Sequence, residues 1–345
     1  LSELEAVRLM LRGGSVIDWY RLNFKDEEEA RRYIKVLGAD LDQARDQARF
    51  AQLREGAEGY LRDEHNYRIP DELCSCPPLD LFLYASELKG RRRDRFFACL
   101  LLKVMHIVHH IQARELRYQL PLSASELGQL LIRKVDRFAA GLSEQGFPLV
   151  AYRGGEKEMS STITKLLVKR AHHAAAVRDR VRFRFIVEKP ADLLPLLVEM
   201  TRDCLPFNYI VPGQTVNQLL NFTALMESHA AYREKASDLQ VHLGHEEHAG
   251  GGLNEFSGPT FRVINFVADV PIRVPESVLE ADEGLASLGP IIFGLAEFQI
   301  VDAQTDEENE SGDNSHERYK DRQKARVRER LERGLRGVDI DVPDA

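Results

Sequence analysis

The stretch "GLAEFQIVDA", residues 294–303, decides the fold. It reads as a β-strand, because β-branched, aromatic and small residues run through it without a breaker. Side chains alternate on a strand, so Ala296, Phe298 and Ile300 make one apolar side. Leu295, Glu297, Gln299 and Val301 make the other. A carboxylate and a carboxamide therefore sit side by side on one face. An edge strand with a solvated face would carry such a pair, and so would a site built on a rigid strand.

Working outward, the sequence C-terminal to about residue 145 is rich in β-branched and aromatic runs: "FPLVAYRGG", "RVRFRFIVE", "FRVINFVADVPIRV" and "IIFGLAEFQIV". Two helical segments, "SSTITKLLVKRAHHAAAV" and "ADLLPLLVEMTRDCL", lie among them. The part before it reads as helical. "DEEEARRYIKVLG" opens on acids and closes on Gly38, the polarity of a helix. "LDQARDQARFAQLREGAEGYLRDE" is periodic, with Gly56 as its first breaker. "RDRFFACLLLKVMHIVHHIQARELRYQL" reads as a long buried helix. "SASELGQLLIRKVDRFAAGLSEQG" begins with a capping-box pattern, Ser123 followed by Glu126, and stops at Gly146. The fold class is thus α+β: a helical region at 1–125, a mixed sheet flanked by helices at 126–335, and a tail at 336–345. Residues 223–257, polar and glycine-rich, read as an insertion.

The 345 residues allow two domains or one large one, and 43% hydrophobic with 30% charged residues is ordinary for a globular chain. A net charge of −8 argues against indiscriminate nucleic-acid binding, and no DNA partner is expected. The chain starts at Leu1, and no signal peptide is read in it. "FFACLLLKVMHIVHH" is broken by Lys103 short of a spanning length, so no membrane is expected and the location reads as cytoplasmic. Cys74, Cys76, Cys99 and Cys204 read as reduced thiols, with no zinc-site spacing. The tail reverses sign: six acids and no base at 302–313, then nine Lys/Arg against four acids at 316–336, in a helix.

Four clusters carry candidate chemistry. His106, His109 and His110 could share a helix face, where core or interface histidines are the commoner outcome. His242, His245 and His248 stand in the glycine-rich insertion. More informative is "GGEKEMSSTITKLLVKR", in which Lys157, Ser161 and Lys165 recur every four residues around a helix start. Free N–H groups, a hydroxyl and two ammonium groups make a phosphate cradle there. In "VRDRVRFRFIVE", Val181, Phe183 and Phe185 take one side of a strand, and Arg180, Arg182 and Arg184 the other. Like charges on one face need anions or carboxylates opposite. Glu297 is one candidate, so a salt-bridged sheet and an anion site both remain open.

Taken in order, these pieces resemble the synthetase domain of the RelA/SpoT proteins, the alarmone synthetases of the stringent response. These move pyrophosphate from ATP to the ribose 3′-hydroxyl of GDP or GTP. The family's Lys-x3-Ser-x3-Lys helix is matched by Lys157, Ser161 and Lys165. Its Asp-x-x-Gly-x-Arg strand is matched by Asp179 and Arg184, with Arg182 in place of the glycine. "PGQTVNQL" keeps Pro212 and Gly213 of the next motif, with Asn217 for its aspartate. The Glu-x-Gln-Ile strand is matched by Glu297, Gln299 and Ile300. A His-x-x-Tyr-Lys helix is matched by His316, Tyr319 and Lys320, nineteen residues after Glu297. The resemblance spans roughly residues 126–330. It departs at the acceptor site, "GPTFRVINF", where Phe261 replaces a stacking tyrosine and Asn265 a phosphate-binding histidine. Gly155 stands where the family has an arginine, with Arg153 nearby.

The resemblance implies a nucleotidyltransferase-like fold and a Mg²⁺-dependent pyrophosphokinase using ATP and a nucleotide or RNA acceptor. Asp179 and Glu297 would hold the metal, about 4 to 7 Å apart. Glu297 would alternatively act as base, supported by Gln299. Lys157, Ser161, Lys165, Arg182 and Arg184 would cover the ATP phosphates. Phe261, Arg262, Asn265 and Asn217 would meet the acceptor. Homo-oligomerisation is compatible with the chain. The alternative is a nucleotide-binding regulatory protein that keeps the fold and has lost catalysis. An RNA-binding module using the basic C-terminal helix is a third reading.

Overall fold

The computed structural model describes residues 2–12, 22–168, 181–221, 260–279, 283–311 and 316–332. The N-terminal half is helical: α1 (Ser2–Arg12), α2 (Glu27–Val36), α3 (Ala44–His65), α4 (Asp71–Ser75), α5 (Pro78–Ala85), α6 (Arg92–Gln119) and α7 (Ala124–Glu144). Then come β1 (Leu149–Glu156), α8 (Met159–Val168), β2 (Val181–Val187), α9 (Leu193–Asp203), β3 (Val216–Asn217), β4 (Ile264–Arg273) and β5 (Ile291–Asp302). Two short helical stretches, Glu276–Leu279 and Glu283–Ser287, join β4 to β5. The described chain ends with α10 (Ala303–Asn309) and α11 (His316–Leu331). This is the helical region and mixed, helix-flanked sheet that the sequence leads one to expect. The polar insertion at 223–257 and the tail at 336–345 lie outside the described residues.

Local chemistry accounts for several boundaries. Asp26 caps α2, its carboxylate accepting from the Glu29 N–H at 2.8 Å. Gly38, at φ 94°, then takes the left-handed turn past the end of that helix. The capping box of α7 is present: Ser123 Oγ accepts from the Glu126 N–H at 3.1 Å, and Glu126 Oε2 accepts from the Ser123 N–H at 2.8 Å. In contrast, α3 runs through Gly56 to His65. A Cβ at position 56 would come within 3.9 Å of Val108, so α3 lies close against α6 there and packing outweighs glycine's poor propensity.

The strands form one sheet in the order β1-β2-β5-β4-β3, with β2 and β5 parallel and the other pairs antiparallel. The strand 291–302 is therefore central, and the edge-strand reading fails. Its apolar side, Ala296, Phe298 and Ile300, joins Phe183, Phe185 and Phe266 in the main core. Helices α7 and α9 supply Leu131, Val135, Leu196 and Met200 to the same core. Gly294 makes room for Ile272 of β4, whose Cδ1 a Cβ there would meet at 2.9 Å, with Leu131 of α7 in ordinary contact at 3.4 Å. A second core lies among α2, α3, α5 and α6.

Helix α6 bears on both cores. Leu101, Leu102 and Met105 join the helical core, and Leu116 joins the sheet core. By length and composition this 28-residue helix is apolar enough to cross a membrane, contrary to the reading that Lys103 interrupts it. Lys103 is the one Lys, Arg, Asp or Glu between Phe96 and Ala113, and the many aliphatic residues there outweigh it together with His106, His109, His110 and Gln112. In the fold α6 packs on α3, α5 and β5.

Candidate active site

The second side of the sheet is polar, and the register orders it in rows. Arg153, Arg184, Gln299 and Asn265 are successive partners across β1, β2, β5 and β4. The next row is Gly155, Arg182, Glu297 and Val267. Beyond the first row the face turns apolar, where Ile186, Val263 and Val301 pack with half-buried Phe261. At the opposite end α6 closes it. His110 stacks on Phe293 with ring centroids 3.9 Å apart, and its Nε2 lies 3.3 Å from Asp269 Oδ2.

Within this face a chain of charges is in contact. The Lys157 ammonium donates to Glu297 Oε2 at 2.5 Å. Gln299 Nε2 donates to Glu297 Oε1 at 3.3 Å, and Arg184 donates to Gln299 Oε1 at 3.4 Å. Arg184 also pairs with Asp306, which α10 brings back over the sheet. The side chains of Lys157 and Glu297 are each 14% exposed, so this pair is largely removed from water. Gln299 is oriented by the two: its nitrogen must face the carboxylate and its oxygen the guanidinium.

The face is not electrically closed. Arg153 and Arg182 are exposed on it, and neither has an ion-pair partner among the described residues. Gly155, beside Arg182, would offer a Cβ nothing within 4 Å, so the surface is open there. Two buried polar atoms in the first row, Arg184 Nε and Asn265 Oδ1, make no hydrogen bond. An anion arriving at this face meets two guanidinium groups free of carboxylates, and a lysine two residues from the start of α8.

The expected site residues divide as follows. Glu297, Gln299, Lys157, Arg182, Arg184 and Asn265 share the polar face, with Phe261 at its apolar end. Ser161 falls in the first turn of α8 and is exposed. Lys165 lies in α8, and its side chain is outside the description. Asp179 lies outside the described residues, and with it the expected distance to Glu297. Two acceptor candidates stand apart. Asn217 pairs in register with Ile264, on the core side of the sheet, and its side chain bonds the backbone of Leu220. The guanidinium of Arg262 reaches Glu308 at 2.8 Å, and the Arg262 backbone exchanges hydrogen bonds with Asn309, which fastens α10.

Asp306 was missed by the sequence reading, which took 302–313 only as an acid-rich run. A signal was present. Asp302 accepts from the Thr305 N–H at 3.0 Å as an N-cap, so the Asp-x-x-Thr spacing marks a helix start and places Asp306 in its first turn. The histidine cluster proves structural in contact. Burial pushes His106 down to about 2 and His109 to about 3, so both are neutral near pH 7. Among the described residues no three His, Cys, Asp or Glu side chains group as metal ligands.

No protein-family model and no curated protein matches the sequence. Similar solved structures include small alarmone synthetase 2 from Bacillus subtilis, 13% identical over 63% of this chain and 97% of that one, with a TM-score of 0.30. Small alarmone synthetase 1 from the same organism, bound to its product pppGpp, is 13% identical over 67% and 93%, with a TM-score of 0.29. A GTP pyrophosphokinase family protein from Streptococcus pneumoniae is 12% identical over 61% and 85%, also at 0.29. These are the kind of protein that the motif order resembles. A likeness this distant says nothing of what this chain binds, so the functional reading rests on its own residues.

Proposed function

We propose that this chain is a pyrophosphotransferase, taking pyrophosphate from ATP to the 3′-hydroxyl of a nucleotide of the GDP/GTP kind or of an RNA. The observation that carries the proposal is the Lys157–Glu297 contact, set on a face where Arg153 and Arg182 have no carboxylate partner among the described residues. A purely structural network would be expected to match its cations. Phosphoryl transfer asks little covalent chemistry of a protein and much charge neutralisation. The triphosphate would lie along Arg153, Arg182 and Arg184, with its end toward Lys157 and the first turn of α8. Lys157 would then exchange Glu297 for a phosphate oxygen. That exchange frees the Glu297 carboxylate to accept the acceptor's hydroxyl proton, while Gln299 holds it in place.

Mg²⁺ suits this donor set, since it is usually bound by one or two carboxylates together with substrate phosphates. Glu297 is the described carboxylate for it, and Asp179 the second in this proposal. The metal would supply charge neutralisation at the phosphates. The second reading, a nucleotide binder without turnover, is favoured by one observation: Asn217 faces away from the polar side.

Labelled ATP incubated with GDP, GTP, other nucleotides and tRNA, with and without Mg²⁺, separates the two readings. Transfer of labelled pyrophosphate to any acceptor supports the enzyme. Clear ATP binding without product from any acceptor supports the binder. Absence of ATP binding removes both.

A further inference from the structure

A second cationic site lies away from the polar face, on the side of α7 turned from the sheet's centre. A groove of about 730 Å³ opens between the end of α2, α7 and the end of β4. That volume falls within the range of about 300–1,000 Å³ typical of small-ligand pockets. Lys35, Arg133, Lys134, Arg137 and Arg273 line it. Its one carboxylate is Asp136, which accepts a hydrogen bond from the Tyr152 hydroxyl at 2.7 Å.

The cations differ in how they are satisfied. Arg273 is consumed by Asp46, at 2.7 Å, and by Gln43. Lys134 donates to the Pro271 carbonyl at 2.8 Å and has no carboxylate partner among the described residues. Burial, with Arg137 adding to it, lowers the Lys134 ammonium to about 8. Lys35, Arg133 and Arg137 are exposed, and none forms an ion pair among the described residues. Arg133 and Arg137 stand one helical turn apart, so their guanidinium groups can straddle neighbouring phosphates. Four cations gathered around one concavity, with Asp136 as the one carboxylate among the described lining residues, leave a net positive site that an anion would stabilise.

We propose that this groove binds a small oligophosphate, a linear chain of two or three phosphates such as a nucleoside polyphosphate carries. Arg133 and Arg137 grip the phosphates from α7, Lys35 closes from α2, and Lys134 supplies a charge at the floor. The negative net charge of the chain disfavours an extended nucleic acid at the same place, and the volume of the groove suits a small molecule.

The test is calorimetric titration of the full chain with inorganic tripolyphosphate, for wild type, for an Arg133→Ala/Arg137→Ala variant and for a Lys157→Met/Arg182→Met variant. Arg133 and Arg137 are exposed, so circular dichroism should match wild type. The groove variant is expected to lose a binding event, weakening it by about tenfold or more. The polar-face variant is expected to retain that event, which separates this groove from the proposed ATP site. Identical titrations for wild type and the groove variant would overturn the proposal. So would loss of all binding in the polar-face variant. Binding of a single-stranded oligonucleotide but not of tripolyphosphate would also overturn it.

Discussion

Glu297 shows what one residue contributes and what it does not. Its place on a polar face was legible from the alternation of residues 295–301, because strand side chains alternate whatever the tertiary fold. Its partner was not legible. Three arginines beside it in sequence pattern suggested an arginine, yet the contact is with Lys157, while Arg184 takes Asp306. Partner choice depends on where helices α8 and α10 return, which no local pattern contains. Glu297→Gln tests the proposed role with little change of shape. The amide removes the charge that the hydroxyl proton or the metal requires, so transfer should fall by about a hundredfold or more. Lys157 would lose its Glu297 ion pair in a site only 14% exposed, at a stability cost of about 1–2 kcal/mol. Product formation, ATP affinity and melting temperature measured together check this, and equal rates in the two forms would remove Glu297 from the chemistry.

At the scale of elements, strands and capped helices were readable, and the order of strands was not. Period-two alternation found β2, β4 and β5, and Ser123 with Glu126 marked the start of α7. Substituting Ser123 by Ala should lower stability by about 1 kcal/mol, the usual worth of such a cap, seen as a lower urea midpoint. A polar-faced strand suggested an edge because solvent is the commonest neighbour of polar side chains. Here β5 is central, and helices α6 and α10 cover parts of its polar side. Pairing between β2 and β5 joins segments more than a hundred residues apart, beyond any local signal. The same holds for the tie between α3 and the end of β4, where Arg273 contacts Asp46 at 2.7 and 3.2 Å. Asp46 is 2% exposed, so its charge is stabilised by that guanidinium and by the Asp40 N–H. Asp46→Ala takes the carboxylate from Arg273, which keeps only Gln43 and the Gly38 carbonyl, and leaves the Asp40 N–H without its acceptor. A loss of about 2–4 kcal/mol in urea unfolding is expected, well above that of the cap variant.

For the whole molecule, α6 is the element whose surroundings set a pH dependence. It runs from the helical core to the sheet, and His106 and His109 lie where the two meet. His106 is faced by Tyr209, with ring centroids 4.7 Å apart, and by His110. His109 is faced by Phe293, and the nearby Arg49 cation from α3 adds to the cost of charging it. His110 meets Asp269 of β4. Burial depresses His106 to about 2 and His109 to about 3, from 6.5 in the unfolded chain. Between those values the unfolded state binds protons that the folded state excludes, so stability rises with pH through this window. The contribution is fully present above about pH 6.5 and is lost as the solution is acidified. Each histidine can contribute a slope of up to about 1.4 kcal/mol per pH unit. Urea unfolding at pH 7.5, 6.0 and 5.0 should therefore give a falling free energy of unfolding. His106→Gln, which cannot take up a proton in the unfolded state, should be less stable at pH 7.5 yet lose less on acidification. A variant whose free energy runs parallel to wild type across the three pH values would show that His106 does not titrate between the folded and unfolded states.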